Sequence, residues 1–250
     1  MLPVDPCRIA ETVDVIFVEP LYAQNIGFIA RSMKNFCLGR LIIVNPRCEL
    51  GVEAVKYSMH GVDKLNSALI LNNFSEAVKR YDYVVCTTGK RGRSSVRRSM
   101  TPEEAAERLV EFNVKKALVI GREDIGLKNS ELERCDAVAT IPANPEYPIL
   151  NASHAAAIFF YLIYRRAGNV ERVVDRPSRE EVERFFYYLD ETAKLLNVSE
   201  ERRRRMIVAF KRLLAESKAP RSDLSLVFGL VRKSYEKLAT MRKTIINADS

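Results

Sequence analysis

Two stretches of this chain carry polar residues at sharp bends, the settings in which chemistry is usually placed. One is Asn25-Ile26-Gly27, with Arg31 six residues after the asparagine. The other runs from Ile120-Gly121-Arg122-Glu123-Asp124-Ile125-Gly126-Leu127 to Ile141-Pro142-Ala143-Asn144-Pro145-Glu146-Tyr147-Pro148-Ile149-Leu150-Asn151. Each joins an apolar, strand-like run to a glycine- or proline-rich turn, and turns at strand ends are where open α/β sheets hold ligands. Thr87-Thr88-Gly89 is a third such turn. Three bends at one edge of a parallel sheet can surround an adenine-sized ligand with backbone N–H and C=O groups, a few polar anchors in an apolar pocket.

Other chemistries lack their residues. There is no GxxxxGK[ST], and no GxGxxG follows the first apolar run, where Pro20-Leu21-Tyr22-Ala23-Gln24-Asn25 stands instead, so a conventional nucleotide site is not expected. No serine sits in a GxSxG elbow, and no Cys–His pair is evident. His60 and His154 are distant in sequence and show no ligand spacing, so no metal is expected; His154, on an apolar helix, reads as a core or interface residue.

The elements that must position the bends alternate. Residues 14–18, 41–44, 68–71, 83–86, 117–120 and 137–141 read as strands, nearly continuous in apolar residues. Asn25 to Cys37 reads as a helix with Gly39 as its left-handed cap. Further helices are expected over 51–59, 75–80, 101–112 and 151–166. Thr101-Pro102-Glu103-Glu104 has the form of a capping box with proline at the first helical position. Apolar strands separated by helices imply an α/β fold with a mostly parallel sheet covered on both faces. The texture changes near residue 170. A charged, proline-containing linker leads to a second capping box, Ser178-Arg179-Glu180-Glu181, and then to helical patterns only. The expected division is a sheet domain over 1–169 and a small all-helical domain over 170–250.

The 250 residues carry a formal charge of +8, and the basic residues cluster. Lys90, Arg91, Arg93, Arg97 and Arg98 share one window, and Arg202, Arg203, Arg204 and Arg205 are consecutive. A polyanion, nucleic acid above all, is the natural partner. The five cysteines show no paired spacing, which argues against a disulfide framework. Cys37, Cys86 and Cys135 lie among apolar neighbours and read as buried small hydrophobes. No secretory signal and no membrane-spanning run is visible, so a cytoplasmic location is expected.

The motifs together resemble the SPOUT RNA 2′-O-methyltransferases. The elements that carry the likeness are Asn25-Ile26-Gly27 with Arg31, then Gly121-Arg122-Glu123-x-x-Gly126-Leu127, then Ile141-Pro142-x-Asn144-Pro145-x-Tyr147 with Leu150-Asn151. The helical tail, with Glu183-Arg184-Phe185-Phe186 and Asp223 to Leu230, is similar to that of the branch that modifies the ribose of nucleotide 32 in the tRNA anticodon loop. The resemblance implies a deep C-terminal trefoil knot, a homodimer, and S-adenosylmethionine as methyl donor without a metal. It implies that Thr87, Thr88, Gly89, Gly121, Ile141, Pro148, Ile149 and Leu150 line the donor site. Arg31 would be the catalytic arginine, with Asn25, Glu123 and Asn151 around it, and both basic clusters would contact tRNA. One position departs: many relatives have Ser-Leu-Asn where this chain has Ile149-Leu150-Asn151, so no hydroxyl acts there. Action on another tRNA or rRNA nucleotide, a non-catalytic RNA-binding relative, and an α/β dehydrogenase are the competing readings.

Overall fold

The computed structural model describes residues 5–89, 99–170 and 173–248. The chain divides into two compact units, Met1–Val173 and Val174–Ser250. The first unit runs α1 (Pro6–Ala10), β1 (Val13–Val18), α2 (Ala23–Asn35), β2 (Leu41–Val44), α3 (Val52–Ser58), a 3₁₀ turn (Met59–Gly61), α4 (Val62–Asn66), β3 (Leu69–Leu71), α5 (Phe74–Val78), β4 (Tyr83–Thr87), α6 (Pro102–Glu111), β5 (Lys116–Ile120), α7 (Asn129–Leu132), β6 (Ala137–Ala139) and α8 (Ala152–Ala167). All six expected strands form, in one sheet of order β3-β2-β1-β5-β4-β6. Every pairing is parallel. The C-terminal ends of the strands therefore finish on one edge. The chain leaves β1 toward β2 on one side and leaves β5 toward β6 on the other, so the crevice of this doubly wound sheet opens between the ends of β1 and β5.

Strand periodicity sorts the core into two faces. Ile16, Val18, Ile42, Val44, Val84, Cys86, Ala117 and Val119 belong to one buried cluster with Phe74, Ala77 and Val78 of α5. The alternate set, including Val15, Phe17, Ile43, Tyr83, Val85 and Leu118, is equally buried. Tyr83 meets Phe112, just after α6, edge-on at 4.8 Å between ring centres. The capping box at Thr101 forms as expected.

Two expectations fail. The left-handed residue that ends α2 is Cys37 (φ 56°), not Gly39. Leu38 N–H returns to the Met33 carbonyl at 2.9 Å, so the turn closes two residues earlier than the glycine suggested. The cysteines are also paired: Cys7 with Cys37, and Cys86 with Cys135. The partners are 30 and 49 residues apart. No local spacing reveals such pairs, because the sheet and the end of α2 bring them together. Among the described residues, Cys48 is the free cysteine.

The second unit is helical: α9 (Arg179–Leu195), α10 (Glu200–Glu216) and α11 (Arg221–Ala248). The Ser178 capping box opens α9. Aromatic rings join the helices. Phe185 of α9 meets Phe210 of α10 at 6.1 Å, and Tyr188 of α9 meets Phe228 and Tyr235 of α11 at 5.5 and 5.4 Å. No helix among the described residues is long and apolar enough to cross a membrane.

Candidate active site

A cavity of about 460 Å³ lies over the ends of β4, β5 and β6. The structure places Thr87, Thr88, Gly89, Gly121, Ile141, Pro148, Ile149 and Leu150 around it. Hydrogen bonds tie the rims together: Thr87 Oγ1 donates to the Val119 carbonyl at 2.9 Å, and Thr88 N–H to the Ala139 carbonyl at 3.0 Å. The loop after β5 doubles back tightly. A β-carbon on Gly121 would lie 2.7 Å from the Gly126 carbonyl carbon and 2.8 Å from Leu127 N, so only glycine fits, and Gly126 itself is left-handed (φ 68°). Gly27 of the first motif has a packing role. A β-carbon there would lie 2.5 Å from the Ala54 carbonyl oxygen, so the glycine lets α2 and α3 approach.

The doubled-back loop is held by a residue that sequence reasoning passed over. The Arg122 side chain is fully buried. Its Nη1 donates to Glu131 Oε2 at 2.8 Å and to the Gly126 carbonyl at 3.1 Å. Its Nη2 donates to Glu131 Oε1 at 2.7 Å and Glu19 Oε1 at 2.6 Å. Glu19 also pairs with Arg47. The Arg122 hydrogen bond holds the Glu19 carboxyl at about 2, well below the usual range. Burial works against ionisation of Glu131, but the hydrogen bonds from Arg122 and from Lys128 N–H, with the positive charges of both residues, together outweigh it and its pKa is lowered. The signal available in sequence was the Arg122 placed between two glycine-bearing turns; its partners, distant in sequence, gave none.

Glu123 spans the crevice. Its Oε2 accepts from Leu21 N–H at 3.0 Å, and its Oε1 from Tyr22 N–H at 3.4 Å and from Asn25 Nδ2 at 3.0 Å. Asn25 is buried, and Glu123 lines the cavity. The structure thus brings Asn25 and Glu123 together. No hydrogen bond joins Arg31 or Asn151 to that pair among the described residues. Six residues on from Asn25, Arg31 lies on another side of α2, exposed, and does not line the cavity. Asn151 caps α8, its Oδ1 accepting from Ser153 N–H at 2.8 Å and Ser153 Oγ at 2.7 Å. His154 is exposed, not in the core. A second cavity, of about 250 Å³, lies between the β1–α2 turn and the segment 48–53. Burial first, then the Glu123 charge, pushes the Cys48 thiol up there. No cluster of metal-ligating side chains occurs among the described residues.

Lys90, Arg91, Arg93, Arg97 and Arg98 lie outside the described residues. In the tail, Arg202 and Arg204 are exposed. Arg205 pairs with Glu201 at 2.9 Å. Arg203 is engaged internally, donating to Asp190 Oδ1 at 3.0 Å and to the Val198 carbonyl at 2.8 Å.

The SpoU rRNA Methylase family model matches residues 12–161, which span the sheet and most of α8. A tRNA (cytidine-2'-O-)-methyltransferase TrmJ of Methanocaldococcus jannaschii is 34% identical over 212 residues, 81% of this chain and 90% of that protein. The TrmJ of the same description from Sulfolobus acidocaldarius is 34% identical over 231 residues, 91% and 95% of the two chains. A solved structure of a probable methylase family protein from Haemophilus influenzae Rd KW20 superposes with a TM-score of 0.62 at 27% identity, covering 93% of this chain and 99% of that one. A match over the whole region that builds the cavity, with relatives alike across nearly the full length, makes this chain a member of the SpoU methylase family.

Proposed function

We propose that the protein transfers a methyl group from S-adenosylmethionine to the ribose 2′-hydroxyl of cytidine 32 in the anticodon loop of tRNA. The observation that carries this reading is the cavity at three strand ends in a chain of this family, joined through Glu123 to the Asn25 turn. The two archaeal relatives named as tRNA (cytidine-2'-O-)-methyltransferases support the substrate. The lining suits the donor. Ile120, Leu127, Val138 and Leu150 offer apolar walls for an adenine ring, and Glu123, Asp124 and Glu133 place carboxylates around a cationic ligand. Ile149, which stands where many relatives have serine, retains the backbone groups needed for binding. A bound sulfonium supplies a methyl carbon with a neutral thioether as leaving group.

The protein's part is alignment, worth roughly 7–11 kcal/mol in favourable cases. The loop locked by Arg122 fixes the donor side, and the turn held by Glu123 fixes the acceptor side. Arg31, a permanent cation, steadies the developing alkoxide and the adjacent phosphate. Because Arg31 lies outside its own chain's cavity, we assign it to the cavity of a second copy. Phe28, three residues before it on the same face of α2, is 37% exposed, and Ile158 and Tyr161 of α8 are 37% and 48% exposed, an apolar surface that a homodimer would cover. The trefoil knot belongs to the same proposal: from β6 at the sheet edge the chain must return to pack α8 against α2 and α6. The basic window 90–98 and Arg202 with Arg204 serve as tRNA contacts, and a tRNA substrate places the enzyme in the cytoplasm.

The test is incubation with a tRNA transcript and labelled donor, followed by mass spectrometry of the nucleosides. A 2′-O-methylated cytidine at position 32 is expected; donor binding without any transfer would overturn the reading. Arg31→Ala should lower kcat by about 100-fold or more with donor affinity kept, and near-normal turnover would remove Arg31 from the mechanism.

A further inference from the structure

The second cavity shares no lining residue with the first, yet it is built onto the same framework. Leu21, Tyr22 and Ala23 form one wall, and Glu49, Val52 and Glu53 contribute to the other. The backbone N–H groups of Leu21 and Tyr22 are the ones bound by Glu123, and Glu123 lines the donor cavity. A ligand there sits across one side chain from the donor, at the crevice between the ends of β1 and β5.

The lining has a definite chemistry. Tyr22 is 60% exposed although its backbone is fixed, which leaves the ring available as a stacking surface. Glu49 and Glu53 are carboxylates on the wall of a cavity in a chain of net charge +8. They disfavour phosphate and accept hydrogen bonds from neutral donors. Gln24 Nε2 donates to Glu53 Oε1 at 2.8 Å, which fixes that carboxylate, and Oε2 has no hydrogen-bond partner among the described residues. Cytosine presents an exocyclic amine, whereas uracil presents a carbonyl oxygen at the same place, and a carboxylate accepts from the first and repels the second.

We propose that this cavity receives the base of the methyl-accepting nucleotide, with Tyr22 stacked on it and Glu53 accepting from the 4-amino group of cytosine. Glu53 is then the residue that makes the enzyme favour cytidine over uridine. This rests on the tRNA ribose-methylation reading above and extends it to base selection.

Two transcripts identical except for C or U at the methylated position provide the test, with kcat and KM measured for wild type, Glu53→Gln and Tyr22→Ala and donor affinity measured by calorimetry. The wild type is expected to favour C, and Glu53→Gln to shrink the C-to-U ratio of kcat/KM by about tenfold or more. Tyr22→Ala should raise KM for both transcripts by about tenfold without changing the ratio. Donor affinity should stay constant in both variants. An unchanged ratio in Glu53→Gln, or equal wild-type rates on C and U, overturns the base-reading role while leaving the methyltransferase reading intact. Donor binding with methylation of neither transcript overturns both.

Discussion

Arg122 shows how much of a site can depend on one buried side chain that holds the loop around it. One guanidinium satisfies two carboxylates and a carbonyl of the loop that walls the cavity. Removing it leaves Glu131 and Glu19 charged and poorly solvated, a loss of about 3–5 kcal/mol for a buried pair deprived of one partner. Arg122→Met should therefore lower the unfolding midpoint and weaken donor binding together; a variant as stable as wild type would show that the network carries no such weight. Lysine is no substitute, since it lacks the planar fork that serves both oxygens of Glu131. The same network sets an acid limit. Glu19 has a folded pKa of about 2 against an ordinary 4.5, lowered first by the Arg122 hydrogen bond. A depressed carboxyl stabilises the fold fully above its unfolded pKa, and that contribution is lost as pH falls through the folded value. Urea unfolding between pH 5 and 2, both rough bounds of that window, should show wild type losing on the order of 2–3 kcal/mol more than Glu19→Gln. Parallel curves for the two proteins would refute the assignment.

At the scale of elements, the last strands of the sheet are joined covalently. Cys86 sits in β4, and Cys135 lies two residues before β6, the strand paired with β4. Closing chain segments of 30 and 49 residues is worth roughly 4 kcal/mol each in the chain-entropy account. A reductant should lower the unfolding temperature by on the order of 10 °C, and Cys86→Ala with Cys135→Ala should reproduce part of the shift without reductant. No change under reduction would show that the bonds add nothing. The sequence showed neither pair, because a cysteine in an apolar run reads the same whether bonded or free. What it did show followed local rules. Runs such as Leu41-Ile42-Ile43-Val44 and Tyr83-Val84-Val85-Cys86 announce buried strands, and both capping boxes declare their helices at Thr101 and Ser178. The short helices α1, α4 and α7, of four or five residues, are below the length at which periodicity registers. Strand order and the Glu19–Arg122–Glu131 network depend on tertiary packing and were invisible. Turn residues at the strand ends were legible, since glycine and proline mark them, but Arg31 and Asn151 were placed by likeness rather than by any local signal.

At the scale of the whole molecule, the proposed tRNA substrate and the charge of +8 predict an affinity for tRNA that falls with salt. The tail's share should come from Arg202 and Arg204, which are exposed, and not from Arg203, which is tied to Asp190 and the Val198 carbonyl. Replacing Arg202 and Arg204 with alanine should reduce the slope of log affinity against log salt by about 2, as read by filter binding across a salt series. An unaltered slope would exclude the tail arginines as phosphate contacts. Arg203→Ala should instead loosen the helical unit with little change in that slope. Glu123 carries a consequence of another kind. One carboxylate grips the amides of Leu21 and Tyr22 and the amide side chain of Asn25 while forming part of the opposite rim. Any ligand that shifts it in one chamber resets the seat in the other. If donor and base occupy the two chambers as proposed, their occupancies are expected to be thermodynamically linked, and whatever factor one substrate imposes on its companion's dissociation constant must be returned in equal measure.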